Sequence, residues 1–172
     1  MTKHRRQHDQ RRGVTLLEVM TATVISATMM TSSVALLRSN YTAWQAHEAD
    51  IDRSANAAAV LRHFVQNVRQ AAGVTAITAA SNPSGALTIA LADGTTLAWD
   101  HSGTSVTLSV NGGAAQPLAD DIQTLTFIGY EADGVTPTAI PGETQTVHAV
   151  LTTLLPAGGT RTYSACAWVR SW

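Results

Sequence analysis

Glu18 is the one charged residue between Val14 and Leu37, a run of 24 residues closed by Arg38; the 19 residues from Val19 to Leu37 carry no charge. A carboxylate near the middle of a bilayer costs at least about 2.5 kcal/mol, so an acid in such a run calls for a partner. No basic side chain inside the run supplies one. Cutting the chain after Gly13 would supply it, because the new α-amine on Val14 stands four residues before Glu18. Positions i and i+4 share a helix face, so amine and carboxylate can pair within one chain. They can equally pair between neighbouring chains, which would set an axial register.

Other residue types with chemical capacity are scattered. Asp120-Asp121 and Glu131-Ala132-Asp133-Gly134 could chelate calcium, although adjacent acids before a strand also read as a solvated turn. His47 and His63 fall on a helical stretch, His101 in a turn and His148 in a strand pattern. Each reads as a packed or solvated histidine rather than a ligand. Cys166 is the one cysteine, which excludes an intramolecular disulfide, and its alternating surroundings from Thr162 to Val169 suggest a buried, inert thiol. Trp99 and Trp168 read as core. There is no Gly-x-Ser-x-Gly, His-Glu-x-x-His, paired-cysteine spacing or Gly-rich phosphate loop. No catalytic residue, resident metal or cofactor is expected.

Charge is distributed unevenly. Residues 1–13 hold Lys3, Arg5, Arg6, Arg11 and Arg12 against Asp9, a net of +4, whereas residues 14–172 hold six Arg against eleven acids, a net of -5. Lysine is absent after Lys3, which removes Schiff-base chemistry and a phosphate-loop lysine. An acidic body also disfavours nucleic acid as a partner.

The elements that must position Glu18 follow from periodicity. About 20 apolar residues span a bilayer as a helix, and residues 14–37 suffice. Thr21, Thr23, Ser26, Thr28, Thr31, Ser32 and Ser33 interrupt the run, but such hydroxyls can bond helix carbonyls. A basic flank before the run and an acidic body after it place the N-terminus in the cytoplasm. Tyr41 and Trp44, just beyond the run, read as interfacial anchors. No Pro or Gly occurs from Tyr41 to Ala72, and Ile51, Ala55, Ala58, Leu61, Val65, Val68 and Ala72 recur at helical spacing. One helix over Val14–Ala72 is predicted, roughly 90 Å long at ~1.5 Å per residue. Residues 38–72 form its amphipathic half.

After Gly73 the period changes to two. Leu87, Ile89 and Leu91 precede an Asp93-Gly94 turn, then Leu97 and Trp99, then Val106, Leu108 and Val110. Further strands are expected over Ile122–Tyr130, Thr146–Leu155 and Thr160–Arg170. The predicted fold is α+β, with an antiparallel meander in residues 73–172 covered by the amphipathic half of the helix.

Taken together, Arg11-Arg12-Gly13-Val14-Thr15-Leu16-Leu17-Glu18 and the apolar run behind it resemble the precursor of a type IV pilin or pseudopilin. Gly13 matches the residue before cleavage, Val14 the first mature residue and Glu18 the fifth; Val14 stands where Phe is commonest. The likeness extends to Leu61-Arg62-His63-Phe64-Val65-Gln66-Asn67-Val68-Arg69-Gln70-Ala71. It continues through Leu118 to Tyr130, Asp133-Gly134 and Ala167-Trp168-Val169-Arg170, which are similar to J-class minor pseudopilins of type II secretion and W-type minor pilins. The resemblance implies removal of leader 1–13 by prepilin peptidase and N-methylation of Val14. It further implies a place in the bacterial inner membrane with the body periplasmic or extracellular, and assembly with other pilin-like subunits at or near a filament tip.

Rival readings remain. An ordinary secretory signal would be cut after Ser33-Val34-Ala35, releasing a secreted or anchored β-rich binding module, but Glu18 would then sit in its apolar centre. A twin-arginine signal at Arg11-Arg12 is a second, which the following residues fit poorly. A plain signal-anchor using Glu18 for helix packing is the third.

Overall fold

Residues 13–156 and 158–170 are described by the structure, a computed structural model. The basic leader therefore lies outside the described residues except for Gly13. One long α-helix precedes a series of short antiparallel strands, so the fold is α+β as the change of period predicts. Residues up to Gln45 and residues from Ala46 onward are two compact units, and each is taken by itself.

The first unit is the N-terminal part of α1 (Leu16–Val68). Every residue from Gly13 to Gln45 is exposed. The helix nevertheless satisfies six of its seven interrupting hydroxyls internally. Thr21, Thr23, Thr28, Thr31, Ser32 and Ser33 donate to carbonyls three or four residues earlier, at 2.8–3.1 Å. Hydroxyls closed in this way present little unmet polarity to an apolar medium. This helix is long and apolar enough to cross a membrane.

The second unit holds the remainder of α1 and nine strands. Five of them, β1 (Ala71–Ile77), β2 (Ala86–Leu91), β3 (Thr96–Ser102), β4 (Ser105–Val110) and β5 (Gln116–Ala119), form a meander in chain order. The other four are β6 (Ile122–Tyr130), β7 (Pro137–Thr138), β8 (Thr146–Leu154) and β9 (Thr160–Trp168), ordered β7-β6-β8-β9. The sheets meet where Gly85 N–H donates to the Leu125 carbonyl at 2.7 Å and Leu125 N–H to the Pro83 carbonyl at 3.0 Å. A Cβ on Gly85 would lie 2.7 Å from that Leu125 oxygen, so this junction admits glycine only.

Phe64 of α1 reaches both sheets. Its ring lies 6.2 Å from that of Trp99 on β3, edge to face, and 5.7 Å from that of Phe127 on β6. Around it Ala57, Val60, Leu61 and Val68 close a single core with Leu87, Ile89, Ile122, Leu125, Val147, Ala149 and Leu151.

Several details differ from the sequence reading. Two sheets form in place of one meander. The helix runs from Leu16 to Val68 rather than from Val14 to Ala72, so Val14 lies outside it and Ala71 already belongs to β1. Gly73, read as a helix stop, pairs with Ala90 inside that strand. The buried helix face is rotated from the predicted stripe: Leu61 and Val68 are shared, but Ile51 is 55% exposed while Ala57, Val60 and Phe64 are covered. Cys166 and Trp168, expected inside, are exposed, and Ala167 and Val169 are buried instead. His101 is not in a turn but near the end of β3, where its buried Nε2 donates to the Ile122 carbonyl at 3.0 Å.

Candidate functional site

The start of α1 is assembled by local hydrogen bonds. Gly13, Val14 and Thr15 precede the helix, whose first residue is Leu16. Glu18 N–H donates to Thr15 Oγ1 at 3.3 Å and to the Thr15 carbonyl at 3.1 Å, and Val19 N–H donates to the same carbonyl at 3.2 Å. Thr15 is thus the N-cap and Glu18 the third helical residue, half of a capping box. An acid in this first turn also meets the positive end of the helix dipole. That local reason for Glu18 was legible in the Thr-x-x-Glu spacing, but the sequence reading did not use it.

Gly13 differs from the glycines the fold requires. A Cβ there would meet nothing within 4 Å, whereas one on Gly129 would lie 2.6 Å from the Thr138 carbonyl oxygen. Neither crowding nor a left-handed backbone accounts for Gly13. Its peptide bond to Val14 lies outside the helix, and Val14 is 70% exposed. Glu18, Ala22 and Ser26 follow at four-residue spacing on one side of α1 and, with Val19, Thr23 and Val14 ahead of the helix, line a shallow groove. Val14 and Glu18 therefore line one groove, with Val14 two residues ahead of the helix. Further along the same unit, Tyr41 and Trp44 are 58% and 60% exposed and three residues apart.

In the second unit, polar contacts fasten α1 to the end of the β8–β9 hairpin. Asp50 Oδ1 lies 3.1 Å from Arg161 Nη1. The Tyr163 hydroxyl donates to Ser54 Oγ at 2.9 Å, and Ser54 Oγ in turn donates to the Asp50 carbonyl at 2.8 Å. Contact with the Tyr163 hydroxyl, and then the charge of Asp50, hold the Arg161 guanidinium above its ordinary value. Arg53 donates to the Leu154 carbonyl and lies 3.5 Å from Asp121. Arg53 and Leu154 are 101 residues apart and Ser54 and Tyr163 are 109 apart, and no local spacing announces such contacts.

The acidic turns considered for calcium have other partners. Asp120 accepts from Ser105, and Asp121, with φ of 63°, faces Arg53. Asp133 Oδ1 accepts the N–H groups of Val135 and Thr136 at 2.9 Å, and Oδ2 accepts the Thr136 hydroxyl. Bonds from Thr136 and then Val135 hold its carboxyl below the usual range. Among the described residues no three His, Cys, Asp or Glu side chains converge as a metal site. His63 stands edge-on to Trp99 at 5.7 Å, and His148 is paired across strands with Cys166.

Comparison with protein-family models, with characterised proteins and with solved structures found no match to this chain. The functional reading therefore rests on the chain's own geometry and on the resemblance of its N-terminal residues.

Proposed function

We propose that this protein is a pilin-like structural subunit, made as a membrane-anchored precursor and assembled into a pilus or pseudopilus. Prepilin peptidase removes residues 1–13 by cutting between Gly13 and Val14, and the new amine on Val14 is methylated. Residues 14–37 store the subunit in the inner membrane and later form filament core, with Tyr41 and Trp44 at the membrane surface. The body lies on the non-cytoplasmic side and contacts other subunits rather than nucleic acid. The role is structural, not enzymatic, and of the minor J-class or W-type kind, at or near the tip.

The observation that carries this reading is the pairing of an exposed Gly13–Val14 bond outside the helix with an exposed, apolar stretch of α1 from Leu16 to Gln45 whose one acid, Glu18, lines the same groove as Val14. A glycine that the fold does not need, beside that bond, supports recognition by a second protein. The continuity of α1 through Ala35 and Leu36 weighs against an ordinary signal cut there.

The test is the intact mass of the mature chain. A start at N-methylated Val14 is expected, and a start at Leu36 would overturn the reading in favour of a secreted module. The Glu18→Lys variant is expected to be cut normally but to enter filaments poorly. Normal incorporation of that variant would remove the amine–carboxylate register.

A further inference from the structure

The side-chain amide of an asparagine can be attacked by the backbone nitrogen of the residue that follows it, because the two together close a succinimide ring. The reaction is fastest where that residue is glycine, which puts no Cβ in the path and whose backbone turns freely. The chain has five asparagines, and their followers differ: Asn40-Tyr41, Asn56-Ala57, Asn67-Val68, Asn82-Pro83 and Asn111-Gly112. The first three asparagines lie in the regular backbone of α1. Pro83 has no N–H to give up. Asn111 is left, exposed in the turn that follows β4. Asp93-Gly94 and Asp133-Gly134 occupy turns as well, but a carboxylate has no amine to expel and resists a nucleophile.

The fold holds Asn111 in a conformation that forbids the attack. Asn111 and Gly112 have φ of 53° and 67°, and Gly113 N–H donates to the Val110 carbonyl at 2.9 Å, which together make a type I′ turn. In this left-handed conformation the following nitrogen lies toward the residue's own nitrogen, on the far side of the Cα–C bond from Cβ. The side chain is tied as well. Asn111 Oδ1 accepts the Thr96 N–H at 2.8 Å, and Asn111 N–H donates to the Thr96 carbonyl at 2.8 Å. Gly112 N–H has no partner among the described residues. Its nitrogen is therefore free to react but aimed away. Attack requires the end of the β3–β4 ladder to open, which breaks the Gly113–Val110 and Thr96–Asn111 bonds together.

We propose that Asn111 is a modification site, at which opening of this turn is recorded covalently. In the opened turn the Gly112 nitrogen gives up its proton to solvent and bonds to Asn111 Cγ. The Cγ–Nδ2 bond then breaks, and the amide leaves as ammonia with a proton returned from solvent. Water opens the ring. Addition at Cγ gives aspartate; addition at the main-chain carbonyl of residue 111 gives isoaspartate, whose main chain runs through Cβ and Cγ. Nothing is oxidised or reduced. The isoaspartyl main chain is longer by a carbon, so the type I′ turn and its pairing with Thr96 do not re-form. A reversible fluctuation becomes a permanent fraying of the β3–β4 end, and either product adds a carboxylate to an acidic body. This chemistry lies wholly in the second unit and does not rest on the pilin-like reading.

The experiment follows the full-length chain in detergent micelles at mildly alkaline pH, folded and in strong urea, by peptide mass mapping that separates aspartate from isoaspartate. In both conditions the earliest conversion is expected at Asn111, with isoaspartate the larger product. The rate in urea should exceed the folded rate by about ten-fold or more, because only opened turns react. Thr96→Pro removes the N–H that holds Oδ1, at the first position of a strand where proline is tolerated, and should raise the folded rate several-fold. Should that variant fail to fold, the two rates of the parent chain decide the matter without it. Equal rates in the folded chain and in urea would overturn the gating by the turn. Absence of conversion at Asn111 in urea, or an earlier conversion at another asparagine, would overturn the site.

Discussion

Between Leu16 and Gln45, α1 carries Leu, Val, Ile and Met side chains that all face outward; between Ala46 and Val68 it carries fewer large apolar residues, and most of those are buried. The regular backbone is the same in both halves. What differs is the source of the apolar surroundings. The second half obtains them from the protein's own sheets, with Phe64 between Trp99 and Phe127. The first half has no such partner among the described residues of its unit, and it is long and apolar enough to cross a membrane. Truncating an apolar side chain should therefore have unequal consequences in the two halves of the helix.

The largest separation is expected between Phe64→Ala and Met29→Ala. Removing a fully buried ring that joins two sheets should cost about 3–5 kcal/mol. Removing an exposed methionine should change stability by less than about 0.5 kcal/mol. Urea unfolding of the full chain in detergent micelles measures both. Comparable losses would mean that the first half has a folded partner of its own and would break the contrast.

A second pair uses glycine. Gly85→Ala forces a Cβ to 2.7 Å from a backbone oxygen at the junction of the sheets, and should cost about 1–3 kcal/mol. Gly13→Val meets open space and should leave the unfolding midpoint within about 0.5 kcal/mol of the parent. It should instead lower the fraction of chain that starts at Val14. Unchanged processing of Gly13→Val would show that no second protein reads that glycine, and would weaken the proposed function directly.

Thr15→Ala sharpens the contrast at a smaller scale. Loss of the cap should cost about 0.5–2 kcal/mol, confined to the first turn of a helix half that has no tertiary contacts to compensate. Faster amide hydrogen exchange at Glu18 and Val19, with no change around Phe64, is the expected pattern. Equal acceleration at both places would mean that the two halves open together.

How far the sequence shows all this depends on how distinctive the side chains are. The exposed half was legible because an uncharged run of 19 residues has few other readings. The α+β class was legible because the period changes from helical to two after residue 73. The buried face of α1 was misjudged because Ala55, Ala57, Ala58 and Ala59 are interchangeable by hydropathy; Phe64, the residue that decides the face, lay off the chosen stripe. The parity of β9 failed for a related reason. Cys166 and Trp168 are the more apolar set, yet the smaller Ala165 and Ala167 are the ones packed into the core. β1 went unread because Ala71–Ile77 is mostly small residues and includes Gly73. The contacts of Arg53 and Arg161 are long-range, and nothing local encodes them.

The smallest effect tests whether the second half has a true interior. His63 sits edge-on to Trp99, and neither His63 Nδ1 nor Trp99 Nε1 has a hydrogen-bond partner. Burial lowers the His63 pKa below its ordinary 6.5. The sign follows from which state takes up the proton first. Above about pH 6.5 the imidazole is neutral in folded and unfolded chains, and its contribution to stability is fully present. As pH falls through that value the unfolded chain is protonated while the folded chain resists, so stability declines until the lowered folded value is passed. His63→Gln should remove this part of the decline, read as a smaller difference between unfolding midpoints at pH 7.5 and pH 5. An unchanged difference would mean that the His63 ring is hydrated in solution and that the core around Phe64 stops short of it. The boundary of the protein's own interior along α1 would then lie between these neighbouring residues.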